Sequence, residues 1–372
     1  MKIGIIDADL ISRKRHRFPN LACMKISSFH KKLNNETNLI VDWGDDLTFY
    51  DKVYISKVFT DTHIPDEILK MPNIEYGGTG FFYDKAPFLP HEIEHSFPDY
   101  HLYDEWVYDK LNNGARKIEL QYYTDWSIGF TTRFCFRQCG FCVNKNYKKV
   151  DIWSPLEEFV DNSRKYICLL DDNMFGNPKW KDILTNLHNT QKSFQYKQGL
   201  DERLLTKEKI EMLFLKSKYK GDYTFAFDNV EDKDVIEERL KLIREVYKGQ
   251  NIKFYVFCGF DRNDKWDLDF WKQDIIDTFE RIKILMKYKC LPYIMRFNRY
   301  EESPHRGTYI NLAGWCNQPS FFKKLSYREY CQKNQDRTKT MICSAMRYLN
   351  DLEEIHPEIA KEYFSMKFHM KK

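Results

Sequence analysis

The chain has 372 residues, enough for two domains with sizeable cores. Its 59 basic and 55 acidic side chains leave a formal net charge of +4, which argues against a dominant polyanion-binding surface while leaving room for local patches. No apolar run approaches the ~18 residues that span a bilayer, and Met1-Lys-Ile-Gly-Ile-Ile-Asp7 reads as a short strand, not a secretory signal. The expected compartment is the cytoplasm, with no membrane partner and with the cysteines kept as thiols.

In chain order, strand-like runs at Lys2–Ile6, Asn38–Val41, Lys52–Phe59 and Asn73–Tyr76, with a helical stretch at Leu21–Leu33, predict a smaller α/β domain over residues 1–120. Gly77-Gly-Thr-Gly80 lacks the G-x-G-x-x-G spacing and reads as a turn. From 126 to 297, short apolar runs alternate with amphipathic stretches. Strands are expected at Trp126–Thr132, Tyr166–Leu170, Phe194–Gln198, Tyr223–Phe227, Ile252–Cys258 and Leu291–Phe297. Between them, Ser154-Pro-Leu-Glu157 carries helix-start signals, as do Asn177-Pro178 and Thr206. Further helices are expected over Asp232–Lys248, stopped by Gly249, and over Asp269–Lys289. Repeats of this length suit parallel crossovers. The fold class is therefore α/β: six βα units over 121–300, an open partial barrel, followed by a helical extension over 301–372.

The first of these strands runs into Cys135-Phe-Arg-Gln-Cys139-Gly-Phe-Cys142, a C-x3-C-x2-C spacing. A short loop can aim three thiolates at one iron–sulfur cluster if its backbone curls, and Gly140 is the expected source of that freedom. Protein-held 4Fe–4S clusters usually take four cysteines, so three neighbours with no obvious fourth leave one iron for a ligand that is not protein. A zinc knuckle needs a second ligand pair, and none with such spacing occurs. Incidental buried thiols are the remaining alternative.

At these residues, with Phe141 before the last cysteine, the chain resembles the radical S-adenosylmethionine superfamily. The resemblance implies a partial (β/α)6 barrel with Cys135, Cys139 and Cys142 holding a 4Fe–4S cluster. It further implies that S-adenosylmethionine chelates the open iron and is cleaved reductively to a 5′-deoxyadenosyl radical, with a flavodoxin- or ferredoxin-like protein donating the electron. The domain over 1–120 resembles the Rossmann-like cobalamin-binding domain of many relatives. Its loop Asp7-Ala-Asp-Leu-Ile-Ser12 lacks the D-x-H-x-x-G signature, so cobalamin is possible but not favoured.

The resemblance also places cofactor-binding groups at the strand ends. These are Asp171, Asp172 and Asn173 for the methionyl amine, and Gln198 and Arg203 for a cofactor or substrate carboxylate. Asp228 is assigned to the ribose hydroxyls and Gly259 to adenine packing, with Arg296 offered to a substrate anion. A plain Asx turn accounts equally well for 171–173, a helix N-cap for Asp228, and a solvated surface turn for Glu202. Cys316, Cys331 and Cys343, with gaps that match no compact ligand pattern, read as buried structural thiols. Arg13-Lys-Arg-His-Arg17 is the densest basic run, but such runs are usually solvated, and nucleic acid is not an expected partner. The substrate is unidentified. Two alternatives stand beside the radical enzyme: a methyl- or methylthio-transferase of the same superfamily, and a non-catalytic RNA-binding protein that keeps a metal or cluster for structure.

Overall fold

A computed structural model describes residues 1–338 and 341–368. The chain divides into two compact units, Met1–Phe194 and Gln195–Lys372. The expected three-part division at 120 and 300 remains a reading of the sequence. The expected extension over 301–372 includes residues 339–340 and 369–372, which lie outside the described residues.

The first unit begins with a four-stranded parallel sheet of β1 (Lys2–Asp7), β2 (Glu36–Ile40), β3 (Lys52–Ser56) and β4 (Ile74–Gly77), in the order β2-β1-β3-β4. Its central strand is apolar on both sides. Ile3 and Ile5 pack in one cluster with Leu21, Met24 and Tyr103, while Ile6 packs in another with Ile40, Val53 and Ile55. A parallel strand covered on both faces explains the unbroken Ile-Gly-Ile-Ile run. The helix Leu21–Lys32 starts at Asn20, whose Oδ1 accepts from the N–H groups of Ala22 and Cys23 and whose Nδ2 donates to Ser56 at 2.9 Å. That bond ties the helix start to the carboxyl end of β3.

The second part of this unit holds β5 (Trp126–Gly129), a two-residue antiparallel clip of β6 (Thr132–Arg133) with β7 (Asp151–Ile152), and β8 (Tyr166–Leu169) parallel to β5. The next strand, β9 (Ser193–Tyr196), is the third of the β5/β8 sheet and runs across the divide between the units. The start signals at Ser154-Pro-Leu-Glu157 yield only a 3-10 turn, Leu156–Glu158.

The second unit is a parallel sheet of β10 (Tyr223–Ala226), β11 (Ile252–Cys258) and β12 (Leu291–Arg296), extended by a parallel bridge from Leu200 to Phe225. Helices Lys233–Val246 and Leu268–Lys287 are the crossovers. The six strands expected between 126 and 297 thus all form, as two three-stranded sheets. After β12 come helices Arg306–Cys316, Tyr327–Asp336, Ser344–Ile355 and Pro357–Tyr363. The segment after the first of these covers a sheet edge: the Asn317 side-chain amide accepts from Ile294 N–H at 2.6 Å and donates to Ile294 O at 3.1 Å. This amide stands in for another strand and protects an otherwise unpaired edge. Cys316, Cys331 and Cys343 are buried free thiols here. No helix among the described residues is long and apolar enough to cross a membrane.

Candidate functional site

The cysteine loop, residues 134–150, is closed at its base by the β6/β7 clip and by Trp153 N–H donating to Thr131 O at 2.9 Å. Cys135, Cys139 and Cys142 are all partly exposed, in contrast to the seven buried cysteines elsewhere in the chain. The curl does not come from Gly140. The left-handed positions are Phe134 (φ 74°) and Gln138 (φ 51°), one residue before Cys135 and Cys139. A bulky aromatic at positive φ stores of order 1–3 kcal/mol of strain, so something must hold it. The Phe134 ring is stacked on Tyr147 at 4.0 Å and lies edge-on to Trp153 at 5.5 Å, while its N–H donates to Asp172 at 2.8 Å.

Asp171, at the carboxyl end of β8, does the rest of the bracing. It is fully buried, and it accepts from Thr131 N–H at 2.9 Å, Thr131 Oγ1 at 2.6 Å, Thr132 N–H at 2.8 Å and Thr132 Oγ1 at 2.7 Å. Burial pushes its pKa up to about 6, with the four bonds pulling it back. With its acceptor positions occupied, Asp171 holds the strand that leads into the loop. Asp172 is likewise raised by burial, opposed by the Phe134 N–H and the charge of Arg133.

Asn173 is different. Its Nδ2 donates to Cys135 Sγ at 3.3 Å, and its Oδ1 is buried with no hydrogen-bond partner. Backbone N–H groups of Arg137 and Asn144 point at the sulfurs of Cys135 and Cys142, both at 3.4 Å. Such N–H···S bonds favour thiolate over thiol and tune iron–sulfur centres. Burial pushes the Cys142 thiol up to about 11, with Cys139, Asp172 and Cys135 contributing. Among the described residues, no three His, Cys, Asp or Glu side chains converge as they would around a single metal ion.

Also in this unit, a cavity of about 260 Å³ opens at the carboxyl ends of β3 and β4. Its walls include Ser56, Gly77 and Gly78 from the sheet and Phe134, Asn144 and Tyr147 from the cysteine loop. Gly78 lies at φ 110°, where a Cβ would meet Lys57 O at 2.3 Å. The glycine run therefore serves a close backbone approach as well as the expected turn. Sequence reading missed this cavity because its two walls are some sixty residues apart in the chain.

In the second unit, the turn after β9 holds Gln198, which is exposed, and Arg203, whose Nε donates to Asp201 at 2.7 Å and NH1 to Asp232 at 2.6 Å. Arg203 is therefore engaged by protein carboxylates. Glu202, expected as a solvated turn residue, is fully buried, and neither carboxyl oxygen has a hydrogen-bond partner. Burial, with Asp201 and Asp228 adding, holds its pKa well above the ordinary range. Asp228, after β10, accepts from Phe257 N–H at 3.1 Å and is pushed up to about 6 by burial. The buried Arg281 of helix Leu268–Lys287 donates to the carbonyls of Phe227, Asp228 and Phe257 at 2.8–3.1 Å, pinning the ends of β10 and β11. No sequence signal marks this staple, which spans more than fifty residues. Gly259, after β11, lies at φ 78°, with its N–H on Asp274 at 2.9 Å. Arg296 lies over the Tyr300 ring at 4.4 Å.

No protein-family model matches the chain, and no curated protein matches it. Solved structures similar to it include the cobalamin-dependent S-adenosylmethionine radical enzyme OxsB with aqua-cobalamin bound. That likeness has 12% identity and a TM-score of 0.45, and covers 96% of this chain and 61% of that one. Another is Streptococcus suis SuiB bound to precursor peptide SuiA, at 10% identity and a TM-score of 0.34, covering 73% of this chain and 66% of that one. The chain thus spans about three-fifths of the length of OxsB. The cysteine spacing resembles that of radical S-adenosylmethionine enzymes, and OxsB, among the similar solved structures, is described as one.

Proposed function

We propose that this chain is a radical S-adenosylmethionine enzyme, with Cys135, Cys139 and Cys142 holding a 4Fe–4S cluster. The observation that carries the reading is the braced loop: three partly exposed thiols, two of them receiving backbone N–H groups, with the orphaned Asn173 Oδ1 beside Cys135. That donor set suits anionic sulfur, and a buried acceptor without a donor suits the ammonium group of a bound amino acid. The chemistry the cluster supplies when bound is one-electron reduction of the S-adenosylmethionine sulfonium, which releases a 5′-deoxyadenosyl radical.

The chain's own residues have narrower tasks. Asp171 and Asp172 fix the loop, and Asn173 orients Cys135 and accepts from the methionyl amine. The aromatic packing around Phe134 keeps water from one side of the loop. Roles for Gln198, Arg203, Asp228 and Gly259 rest on the family resemblance alone. Asp228 has a carboxylate suited to paired hydroxyls, whereas Arg203 must release Asp201 or Asp232 to meet a ligand carboxylate. A flavodoxin- or ferredoxin-like donor would supply the electron, in a cytoplasmic setting.

The test is anaerobic reconstitution with iron and sulfide, then dithionite and S-adenosylmethionine. The expected result is 5′-deoxyadenosine from the parent and a near-complete loss in Cys139→Ala. Equal product from both would remove Cys139 from the ligand set. About one zinc per chain without acid-labile sulfide would favour the structural-metal, RNA-binding alternative.

The cavity at the carboxyl ends of β3 and β4 keeps a second reading alive, that of a corrinoid-dependent methyl- or methylthio-transferase. The loop directly after β1, Asp7-Ala-Asp-Leu-Ile-Ser12, holds no histidine. Asp7 is buried and accepts from Tyr103 OH and Leu10 N–H, and Asp9 accepts from Val58 N–H and Thr62. Corrinoid absorbance in the purified protein would promote this reading.

A further inference from the structure

The cavity beside the cysteine loop contains a cation without a hydrogen-bonding partner. Arg133, on β6 and two residues before Cys135, makes no hydrogen bond through its guanidinium, and its Nε is buried and unpaired. Four aromatic rings box it in: Phe130 and Trp153 at 4.8 Å, Phe88 at 5.4 Å and Phe134 at 5.5 Å from the guanidinium carbon. Glu94 comes no closer than 3.7 Å. The same oxygen, Glu94 Oε1, accepts from Lys25 Nζ at 2.9 Å and Trp153 Nε1 at 2.8 Å. Glu75 and Asp84, also on the cavity wall, pair with Lys52 and with Lys145 at 3.2 Å. Asp172 faces Arg133 only at longer range and accepts from Phe134 N–H.

An arginine carries five donors; the Arg133 side chain is 24% exposed, and its Nε is the donor left buried without a partner, which is costly. Here the rings orient the guanidinium plane without satisfying its donors. A planar fork held ready in this way matches a carboxylate or phosphate, which it binds through two parallel N–H···O bonds. The cavity's size, just below the ~300 Å³ at which drug-sized pockets begin, suits a small molecule. Its walls are largely aromatic and aliphatic, with Leu21, Tyr54 and Tyr147 facing the same space as Arg133.

We propose that this cavity binds a small molecule with a planar or apolar body and one carboxylate or phosphate group, the anion seated on Arg133. The binding stands on the cavity and on a guanidinium that makes no hydrogen bond and has only a 3.7 Å ion pair with Glu94. That the bound molecule is the substrate rests on the radical-enzyme reading above, because Phe134, Asn144 and Tyr147 of the cysteine loop form part of the same wall.

The probes are phenyl phosphate, benzoate and the uncharged phenol, titrated calorimetrically into the anaerobically reconstituted full chain. One of the two anions should bind saturably at one site, and the stronger of them tells phosphate from carboxylate. Arg133→Met should weaken that anion about 10–100-fold, the range expected for losing a charged hydrogen-bonded pair, and should leave phenol unchanged. Arg133→Lys, which keeps the charge and the packing stem, should fall between and guards against misfolding of the methionine variant. Arg299→Met, in the other unit, should bind as the parent does. The proposal is overturned if neither anion saturates, if Arg133→Met binds the anion as well as the parent, or if it loses phenol equally, which would mark a packing role. It is also overturned if a co-purifying corrinoid fills the cavity and excludes both anions. Formation of 5′-deoxyadenosine by the same preparation reports on the radical reading separately, so either can fail while the other stands.

Discussion

Two polar turns follow neighbouring strands in this chain, and they solve the same problem in opposite ways. Asp171-Asp172-Asn173, after β8, and Asp201-Glu202-Arg203, after β9, each bury an acid completely. Asp171 receives four donors from Thr131 and Thr132, whereas Glu202 receives none. Burial alone therefore does not say what a carboxyl group does. A satisfied acid is part of the scaffold, and an unsatisfied one is held in reserve for a proton or a ligand.

The sharpest way to break this contrast is Asp171→Ala. Four buried donors lose their acceptor at once, so the first unit should lose at least ~3 kcal/mol on urea unfolding. A loss below ~1 kcal/mol would mean that Asp171 does not brace the loop. pH separates the two acids next. Both have folded pKa values raised above their ordinary values of 3.8 and 4.5, Asp171 to about 6 and Glu202 well beyond its ordinary value. A raised acid holds its proton in the fold and releases it on unfolding, so its contribution is fullest at low pH and declines as pH rises toward the folded value. Well above its folded value of about 6, Asp171 has finished titrating. Any decline contributed by Glu202 continues there, at no more than about 1.4 kcal/mol per pH unit for one proton. The Glu202→Gln chain should lack that part of the slope between pH 6 and 8, and parallel curves for parent and variant would show that Glu202 is ionised in the fold. The smallest effect is Glu202→Leu at pH 8, expected to stabilise by about 1 kcal/mol because it removes an unpaired buried acid. Destabilisation by a similar amount would show that Glu202 has a partner in solution.

Much of the scaffold was legible from the residues. The runs at Ile252–Cys258 and Leu291–Phe297 and the helical stretch at Leu21–Leu33 match their observed elements to within a residue. The helix expected after Ser154 did not form, because start signals do not supply the length a helix needs. At the site, the cysteine spacing was plain, whereas Phe134 and Gln138, not Gly140, carry the left-handed backbone. Local propensity assigns that conformation to glycine. Stacking of Phe134 on Tyr147 and its bond to Asp172 override the preference, and both partners are distant in sequence. Arg203 was assigned to a cofactor or substrate carboxylate and is held by Asp201 and Asp232, while Arg133 drew no attention and is the one whose Nε is buried without a partner.

The sequence by itself determined the three clustered thiols, the parallel α/β character and the order of the strands, because spacing and periodicity are properties of a local stretch of chain. Only the tertiary structure decided which acids are satisfied, which arginine is left over and where a cavity opens beside the cysteine loop. Those outcomes depend on which distant groups arrive within hydrogen-bonding distance, and a buried charge takes its meaning from its neighbours in space.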